Sequence, residues 1–251
     1  MLADPTSPPT SPPDALSPAA FEALCLRERA SDRYWRRNDT IRKERLYWRA
    51  QTARHLFHIL PGETVLVLAG GTGGLAATLR NVTRGECPLT VATFDPAVDP
   101  DEIHRNVPEA EVIALRGFPG DLSGREFDYV IGSNVLDARG APILLREIQK
   151  LLKPGGRLLL FETNPWNPFY RFRSALSRLL PFLRRGDERV LYNQVQLYEL
   201  FSELGYISVA ATCYDFLYPP IPRFLMILAR NLCTLLDDRA AERLQADLDH
   251  Q

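Results

Sequence analysis

Short apolar runs alternate with helical patterns through the middle of the chain. Five of the runs have the length of buried strands and end at turn residues. They cover residues 64–68, 89–94, 111–115, 127–132 and 157–161. Strands that alternate with helices are typical of a mostly parallel sheet covered by helices on both faces. The pattern therefore predicts an α/β fold with a doubly wound sheet.

The segments around these strands carry helical signals. Residues 21–60 are predicted as helix from their apolar spacing, with an N-cap offered at residues 38–40. Residues 141–152 are predicted as a helix that ends before a Lys-Pro-Gly-Gly turn. Residues 195–204 are predicted as a helix ahead of a glycine, and residues 206–214 as a further strand.

Composition changes along the chain and predicts its division. Apolar residues make up 45% of the 251 residues, which is enough for a core and excludes global disorder. Six prolines between Pro5 and Pro18 are typical of a disordered tail. We expect this tail over 1–19, a helical lid over 20–60, the main domain over 61–215 with an insertion at 164–194, and a helical extension over 216–251.

Charge and cysteine content exclude some classes of protein. The formal net charge is -1, so a protein that binds polyanions over its whole surface is not indicated. The four cysteines form no Cys-x-x-Cys pair, and no residues have metal-ligand spacing. We therefore expect no metal and no disulfide framework, and the simplest interpretation is a reducing, cytoplasmic location.

A glycine-rich turn over residues 69–74 follows the first predicted strand and leads into a helix. Glycine lets the backbone approach a ligand closely, and the free amides of a helix N-terminus favour an anionic group. Asp95 ends the second predicted strand, where a carboxylate can accept hydrogen bonds from both hydroxyls of a ribose. A plain tight turn and a helix cap are the alternatives for these two features.

Two later segments narrow the interpretation. FDYVIGSNVL covers the fourth predicted strand and its turn, and LLKPGGRLLL covers the turn into the fifth strand. With the glycine-rich turn, their order and spacing resemble the class I S-adenosylmethionine-dependent methyltransferase family over residues 34–214. The resemblance implies a Rossmann-like, mostly parallel sheet of seven strands, with residues 206–214 as a closing strand. It also implies methyl transfer as the activity and S-adenosylmethionine as the cofactor.

The resemblance also implies roles for individual residues. Gly71 and Gly73 are expected to lie against the methionine moiety of the cofactor, and Asp95 to bind its ribose. Ser133 and Asn134 are expected to line the cleft between cofactor and acceptor. After the third strand, Phe118 is a candidate to stack on the adenine, and Asp121 is the alternative contact. No catalytic residue is assigned, because in-line alignment supplies much of the acceleration of methyl transfer.

Two positions depart from the family pattern. Val67 stands where the family usually has an acidic residue, and Ala69 where it has a first glycine. Val67 cannot hydrogen-bond the methionine amino group, and Ala69 adds a methyl group beside the ligand. These changes keep open a second hypothesis, a degenerate member that acts as a non-catalytic scaffold or partner subunit.

A dinucleotide fingerprint in the same turn gives a third hypothesis. Residues 71–76 fit G-x-G-x-x-A, which is typical of NAD(P)-binding reductases. The chain contains no Tyr-x-x-x-Lys pair for hydride chemistry, and the Lys-Pro-Gly-Gly turn has no role in such enzymes. The reductase hypothesis is therefore the weakest of the three.

The acceptor site is predicted from the segment after the fifth strand. Asn164, Trp166 and Tyr170 lie where the resembled family forms its acceptor pocket. Residues 171–185 are basic and amphipathic, and residues 219–236 are apolar with basic ends. Such segments are typical of contact with an anionic membrane surface, here the inner face, or of packing on the core, a protein partner or a second subunit. The predicted acceptor is a small or lipid-like molecule, and nucleic acid is not expected.

Overall fold

The computed structural model describes residues 16–36, 39–136, 140–165, 192–213, 239, 242–243 and 245–246. Two helices precede the sheet, α1 (Pro18–Arg36) and α2 (Asp39–Phe57). The stretch predicted as helix over residues 21–60 is therefore two helices, and the second begins within the predicted cap at residues 38–40.

Five strands follow the two helices, and all five strand runs predicted from the apolar pattern are confirmed. They are β1 (Val65–Leu68), β2 (Leu89–Thr93), β3 (Glu111–Ala114), β4 (Phe127–Ser133) and β5 (Leu152–Phe161). The helices between and after them are α3 (Gly74–Val82), α4 (Pro100–Asn106), α5 (Ala141–Lys150) and α6 (Gln194–Glu203).

The five strands form one parallel sheet in the order β3-β2-β1-β4-β5. The chain builds outwards from β1 to β3 and then returns to the other side of β1 for β4 and β5. The point at which the order reverses therefore lies between β1 and β4. In open α/β sheets, ligands bind beyond the carboxyl ends of the strands at such a point. The α/β, doubly wound fold is confirmed.

Each face of the sheet is covered by its own apolar core. Val65 and Val67 of β1 point into a core with residues of α2, α3 and α4. Leu66 and Leu68 point to the opposite face, into a core shared with α5 and with Leu24 of α1. Since all four β1 side chains are buried, β1 is the centre of the molecule, as its run of apolar residues predicts.

The expected seven-stranded sheet is a correction: the described residues form five strands, and residues 206–213 are not a strand. The hydroxyl of Tyr206 donates to the Leu145 carbonyl oxygen (2.7 Å), and its ring packs edge-on against Phe201. The Ala211 amide donates to the Tyr198 hydroxyl instead of to a neighbouring strand (3.2 Å). These contacts hold the segment against the helices α5 and α6.

Several predicted features lie outside the described residues, namely Trp166, Tyr170, the basic segment at 171–185 and the apolar segment at 219–236. Within the part of the chain that the structure describes, no helix has the length and apolar character needed to cross a membrane. The same part of the chain contains no cluster of metal-ligating side chains.

Candidate functional site

The glycine-rich turn after β1 has a backbone that only small residues allow. Gly71 and Gly73 have positive φ angles of 51° and 81°. A side chain at Gly70 would place its Cβ atom 2.5 Å from a methyl carbon of Val91. The carbonyl oxygen of Thr72 accepts a hydrogen bond from the Asn106 side chain (2.7 Å). The turn is therefore held close to β2 and α4, with its amides at the carboxyl edge of the sheet.

Asp95, which follows β2, carries a buried carboxylate at the same edge; the residue is 3% exposed. Arg29 of α1 donates to both of its oxygens, Nη2 to Oδ1 (2.6 Å) and Nε to Oδ2 (2.9 Å). The hydrogen bonds from Arg29 lower the pKa of Asp95, although burial opposes them. Asp95 is thus an ionised group, and its partner in this structure is a guanidinium from α1.

Glu28 of α1 is a second buried carboxylate at this edge; it is 5% exposed. One of its oxygens accepts from the Gly71 amide (2.7 Å). The other accepts from the amides of Phe94 (2.6 Å) and Asp95 (3.0 Å). Burial raises the pKa of Glu28, whereas these amide hydrogen bonds lower it. A single carboxylate therefore spans the space between the glycine-rich turn and the end of β2.

The buried face of α1 explains how Glu28 reaches the site. Ala20, Leu24 and Glu28 are four residues apart and form one buried stripe. Phe21 packs edge-on against Phe94, with 5.8 Å between ring centroids. The Cys25 thiol donates to the Phe94 carbonyl oxygen (2.8 Å). Sequence reasoning missed Glu28, and the signal for it is an acidic residue in line with an apolar stripe.

Arginines of α2 approach the site from the other side. Arg42 donates to the Thr72 hydroxyl (2.7 Å), and Arg49 donates to the Ser133 hydroxyl (3.2 Å). The Arg49 guanidinium also lies over the Phe161 ring, 4.9 Å from its centroid. A cavity between α1, α2 and the turn is lined by these two arginines and by Asp32, Arg45, Gly71 and Ser133, among others. The α2 side of the cavity is cationic and suits an acidic group.

The ends of β4 and β5 complete the edge. Asn134 has a positive φ of 55°, and its side-chain oxygen accepts from the Thr163 hydroxyl (3.1 Å). Glu162 accepts from the amides of Val135 (2.8 Å) and Leu136 (3.1 Å), which fixes the turn after β4. Burial raises the pKa of Glu162 to about 7. Sequence reasoning did not select Glu162, although it directly follows the fifth predicted strand.

The predicted site residues fall into three groups. The first group lies at the carboxyl ends of β1, β2 and β4 and comprises Gly71, Gly73, Asp95, Ser133 and Asn134. Asn164 is buried in the segment that follows β5. Phe118 is also buried, and its ring packs 5.9 Å from the Phe94 ring inside the second core.

Comparison with known proteins places the chain in a family. Residues 40–210 match a family described as a methyltransferase domain. The chain belongs to the S-adenosylmethionine-dependent methyltransferases. The sequence-based recognition of the family is confirmed. The match therefore favours this family over the dinucleotide-dependent reductases.

Two curated relatives show different contexts for this domain. Fusarin C synthetase of Gibberella fujikuroi is 27% identical over 187 residues, which cover 65% of this chain and 4% of the synthetase. Demethylmenaquinone methyltransferase of Corynebacterium efficiens is 32% identical over 145 residues, which cover 55% of this chain and 59% of that protein. The chain thus matches a small part of the synthetase and somewhat more than half of the bacterial enzyme.

A solved structure supports the fold. Magnesium protoporphyrin IX methyltransferase from Synechocystis, with bound SAH (S-adenosylhomocysteine), superposes with a TM-score of 0.51 at 14% identity. The match covers 70% of this chain and 78% of that one. The shared architecture is the Rossmann-like methyltransferase fold.

Proposed function

We propose that this methyltransferase uses S-adenosylmethionine to methylate a small or lipid-like acceptor. One observation carries the proposal: the glycine-rich turn and the residue that bears the buried Asp95 carboxylate come together where β1 and β2 end. The backbone amides of Gly71 and Asp95 are so close that the single Glu28 carboxylate accepts hydrogen bonds from both. A nucleoside ligand needs this combination of a backbone cradle and an acceptor for ribose hydroxyls.

The residues at the edge fit S-adenosylmethionine. Asp95 would accept the two ribose hydroxyls, and the backbone at Gly71 and Gly73 would lie against the methionine part. Arg42 and Arg49 line the same cavity and would attract the methionine carboxylate. Phe118 is assigned to the adenine end, where its ring already forms part of an aromatic cluster with Phe94.

The chemistry asks mainly for alignment and exclusion of water. When bound, the cofactor supplies a methyl group on an activated sulfonium leaving group. The chain's own residues would hold the acceptor in line with that group, which accounts for much of the acceleration in such reactions. Ser133, Asn134 and Asn164 are assigned to the acceptor side of the cleft, with Trp166 and Tyr170. Glu162 positions this side by fixing the turn after β4.

The relatives and the sequence support the proposed class of acceptor. One relative is a demethylmenaquinone methyltransferase. Fusarin C synthetase carries its similar region within a much longer protein. The basic amphipathic residues 171–185 suit an acceptor that is presented at an anionic membrane surface. We therefore propose a peripheral, cytoplasmic enzyme whose acceptor is apolar.

The cofactor assignment is tested by calorimetric titration of the full chain with S-adenosylmethionine and S-adenosylhomocysteine. Compared in the Arg29→Ala background described below, Asp95→Asn should bind both ligands at least about tenfold more weakly, because hydrogen bonds to a charged group are worth about 1.5–3 kcal/mol. Asp101→Asn, which alters an exposed carboxylate on α4, is the matched control and should leave affinity unchanged.

The same titration separates the proposal from the scaffold hypothesis. If neither ligand binds to the wild-type chain or to the Arg29→Ala variant described below, the cofactor assignment is wrong. The departures at Val67 and Ala69 would then mark a non-catalytic member of the family.

A further inference from the structure

Three consecutive residues of α1 reach the ends of three different strands. Arg27 donates to the Leu136 carbonyl oxygen in the turn after β4. Glu28 accepts from the glycine-rich turn after β1 and from the end of β2. Arg29 forms its two-point contact with Asp95. The helix therefore crosses the reversal point of the sheet and contacts the strand ends directly.

Packing alone does not account for the acidic residue at this point of the helix. Ala20 and Leu24 fill the second core, and Glu28 continues the same buried stripe one turn later. Burying a carboxylate is costly unless its oxygens are hydrogen-bonded. Glu28 avoids that cost only because three backbone amides converge on it. The energy of the contact thus depends on the amides of the candidate cofactor site.

The groups that α1 engages are those assigned to the cofactor. Arg29 uses both oxygens of Asp95, which would otherwise accept the two ribose hydroxyls. Glu28 lies between the Gly71 amide and the β2 end, in the space assigned to the ribose and the methionine chain. The helix and the cofactor therefore compete for the same atoms and the same volume.

We propose that α1 is an autoinhibitory plug that must leave the strand ends before S-adenosylmethionine enters. This inference rests on the proposed function. It differs from the lid expected over residues 20–60, because a lid closes over a bound ligand and leaves the strand ends to that ligand. The plug weakens the apparent affinity for the cofactor. The apparent dissociation constant equals that of the released form divided by the fraction of molecules in which α1 has left the strand ends.

Hydrogen exchange separates a plug from a lid. Saturating S-adenosylhomocysteine should speed the exchange of the α1 backbone amides, because the bound ligand holds the helix in its released state. A lid would respond in the opposite way, with slower exchange of α1 when ligand is bound. Slower or unchanged exchange of α1 at saturation would overturn the proposal.

Weakening the plug should strengthen binding. Arg29→Ala removes the contact with Asp95, and we expect the variant to bind S-adenosylhomocysteine about fivefold more tightly than wild type, a figure that allows for the partial exposure of Arg29. Glu22→Ala, which alters an exposed charge on α1, is the control and should bind like wild type. When Arg29 is already replaced by alanine, adding Asp95→Asn changes affinity through the contact with the ribose and no longer through the contact with α1.

A reversible lock provides a test in the opposite direction. A Cβ atom built at Gly140 would lie 3.2 Å from Cβ of Ala20, slightly less than the separation of about 3.5–4.5 Å in disulfides. When oxidised, the Ala20→Cys, Gly140→Cys double variant should therefore fix the N-terminal end of α1 against the start of α5. Oxidation should reduce affinity for S-adenosylhomocysteine at least about tenfold, and a reductant should restore it. The two single-cysteine variants control for oxidation elsewhere.

The outcomes distinguish the two proposals. If wild type binds S-adenosylhomocysteine but neither Arg29→Ala nor the oxidised lock changes its affinity, the plug is overturned and the proposed function stands. If no variant binds the ligand, both proposals are overturned. Tighter binding by Arg29→Ala, together with weaker binding by the lock, supports both.

Discussion

Ala69 shows how a single methyl group alters the backbone energy of the glycine-rich turn. Its φ is 52°, in the left-handed region that glycine occupies without strain. A residue with a Cβ atom costs about 1–2 kcal/mol there. The family pattern has glycine at this position, so the departure seen in the sequence has a structural cost in the folded state.

Replacing Ala69 with glycine should therefore stabilise the protein. We expect Ala69→Gly to raise the free energy of unfolding by about 1 kcal/mol, the relief of strain less the added freedom of the unfolded chain. Ala77→Gly, within α3, is the matched control and should lower it by about 0.5–1 kcal/mol. Urea denaturation measures the free energy of unfolding of both variants. An equal decrease for Ala69→Gly and Ala77→Gly would contradict the strain at Ala69.

At the residue scale, the sequence predicted the site where a motif fixes a position along the chain. Gly71 and Asp95 follow strands β1 and β2, and parallel strands bring their carboxyl ends together. Glu28 and Arg29 belong to no such motif. Their place depends on how α1 docks across the sheet, which a single sequence does not encode in its local pattern.

Two glycines in the first half of β5, where its pairing with β4 shifts register, have different surroundings. Gly155 has a φ of 81°, and a Cβ atom there would meet no neighbour within 4 Å. At Gly156 a Cβ atom would lie 2.9 Å from the Lys153 carbonyl oxygen and 3.1 Å from those of Phe127 and Asp128. All three neighbours are backbone atoms, so side-chain rotation cannot relieve the contacts.

The two positions should therefore respond differently to alanine. We expect Gly155→Ala to lower the free energy of unfolding by about 1–2 kcal/mol, through backbone strain alone. Gly156→Ala should lower it by about 3 kcal/mol, because the pairing of β4 with β5 must shift. Thermal and urea denaturation of the pair give the comparison, and a smaller loss at Gly156 than at Gly155 would refute this account.

At the scale of elements, the five strands of the sheet followed from the apolar pattern, whereas the last predicted strand did not form. The buried runs of β1 and β4 are unambiguous because both faces of a parallel strand need apolar side chains. Residues 206–213 have a similar composition but lie against α5 and α6 through Tyr206 and Tyr198. Their local pattern fits either environment, and tertiary contacts decide between them.

Two carboxylates tie strands of the whole molecule together and respond to pH in opposite ways. Asp128 accepts from the amide and hydroxyl of Thr64 (both 2.8 Å) and from Lys153 (2.7 Å). Although burial opposes them, these contacts lower the pKa of Asp128 to about 2. Glu162, by contrast, is a half-buried carboxyl, and loss of solvation raises its pKa to about 7. Asp128 therefore stabilises the fold in its charged form, and Glu162 does so better when neutral.

Stability should depend on pH through both groups. The contribution of Asp128 is present above a pH of about 4 and is lost as pH falls towards 2. That of Glu162 is present below about 4.5 and is lost as pH rises through 7. We expect Asp128→Asn to be less stable than wild type at pH 6, with a gap that narrows towards pH 2. The stability of Glu162→Gln relative to wild type should increase as the pH rises from 5 to 8.

Urea denaturation across these pH values measures both differences. Each variant serves as its own control at pH values where the replaced carboxyl does not titrate. The difference in unfolding free energy between Asp128→Asn and wild type should therefore be constant between pH 6 and pH 8. A difference in stability between Glu162→Gln and wild type that does not change between pH 5 and pH 8 would contradict the raised pKa of Glu162.

The sequence by itself determined the order of strands and helices, the glycine-rich turn and the acid at the end of β2. These features depend on the local pattern and on the order of elements along the chain. Because the strands are parallel, the residues that follow them lie at the same edge of the sheet. The tertiary structure alone decided which groups meet at that edge, because α1 docks there through contacts made 43–109 residues away along the chain. The helix expected as a cover thus reaches the strand ends themselves, where Glu28 and Arg29 take the amides and the carboxylate that the cofactor would need.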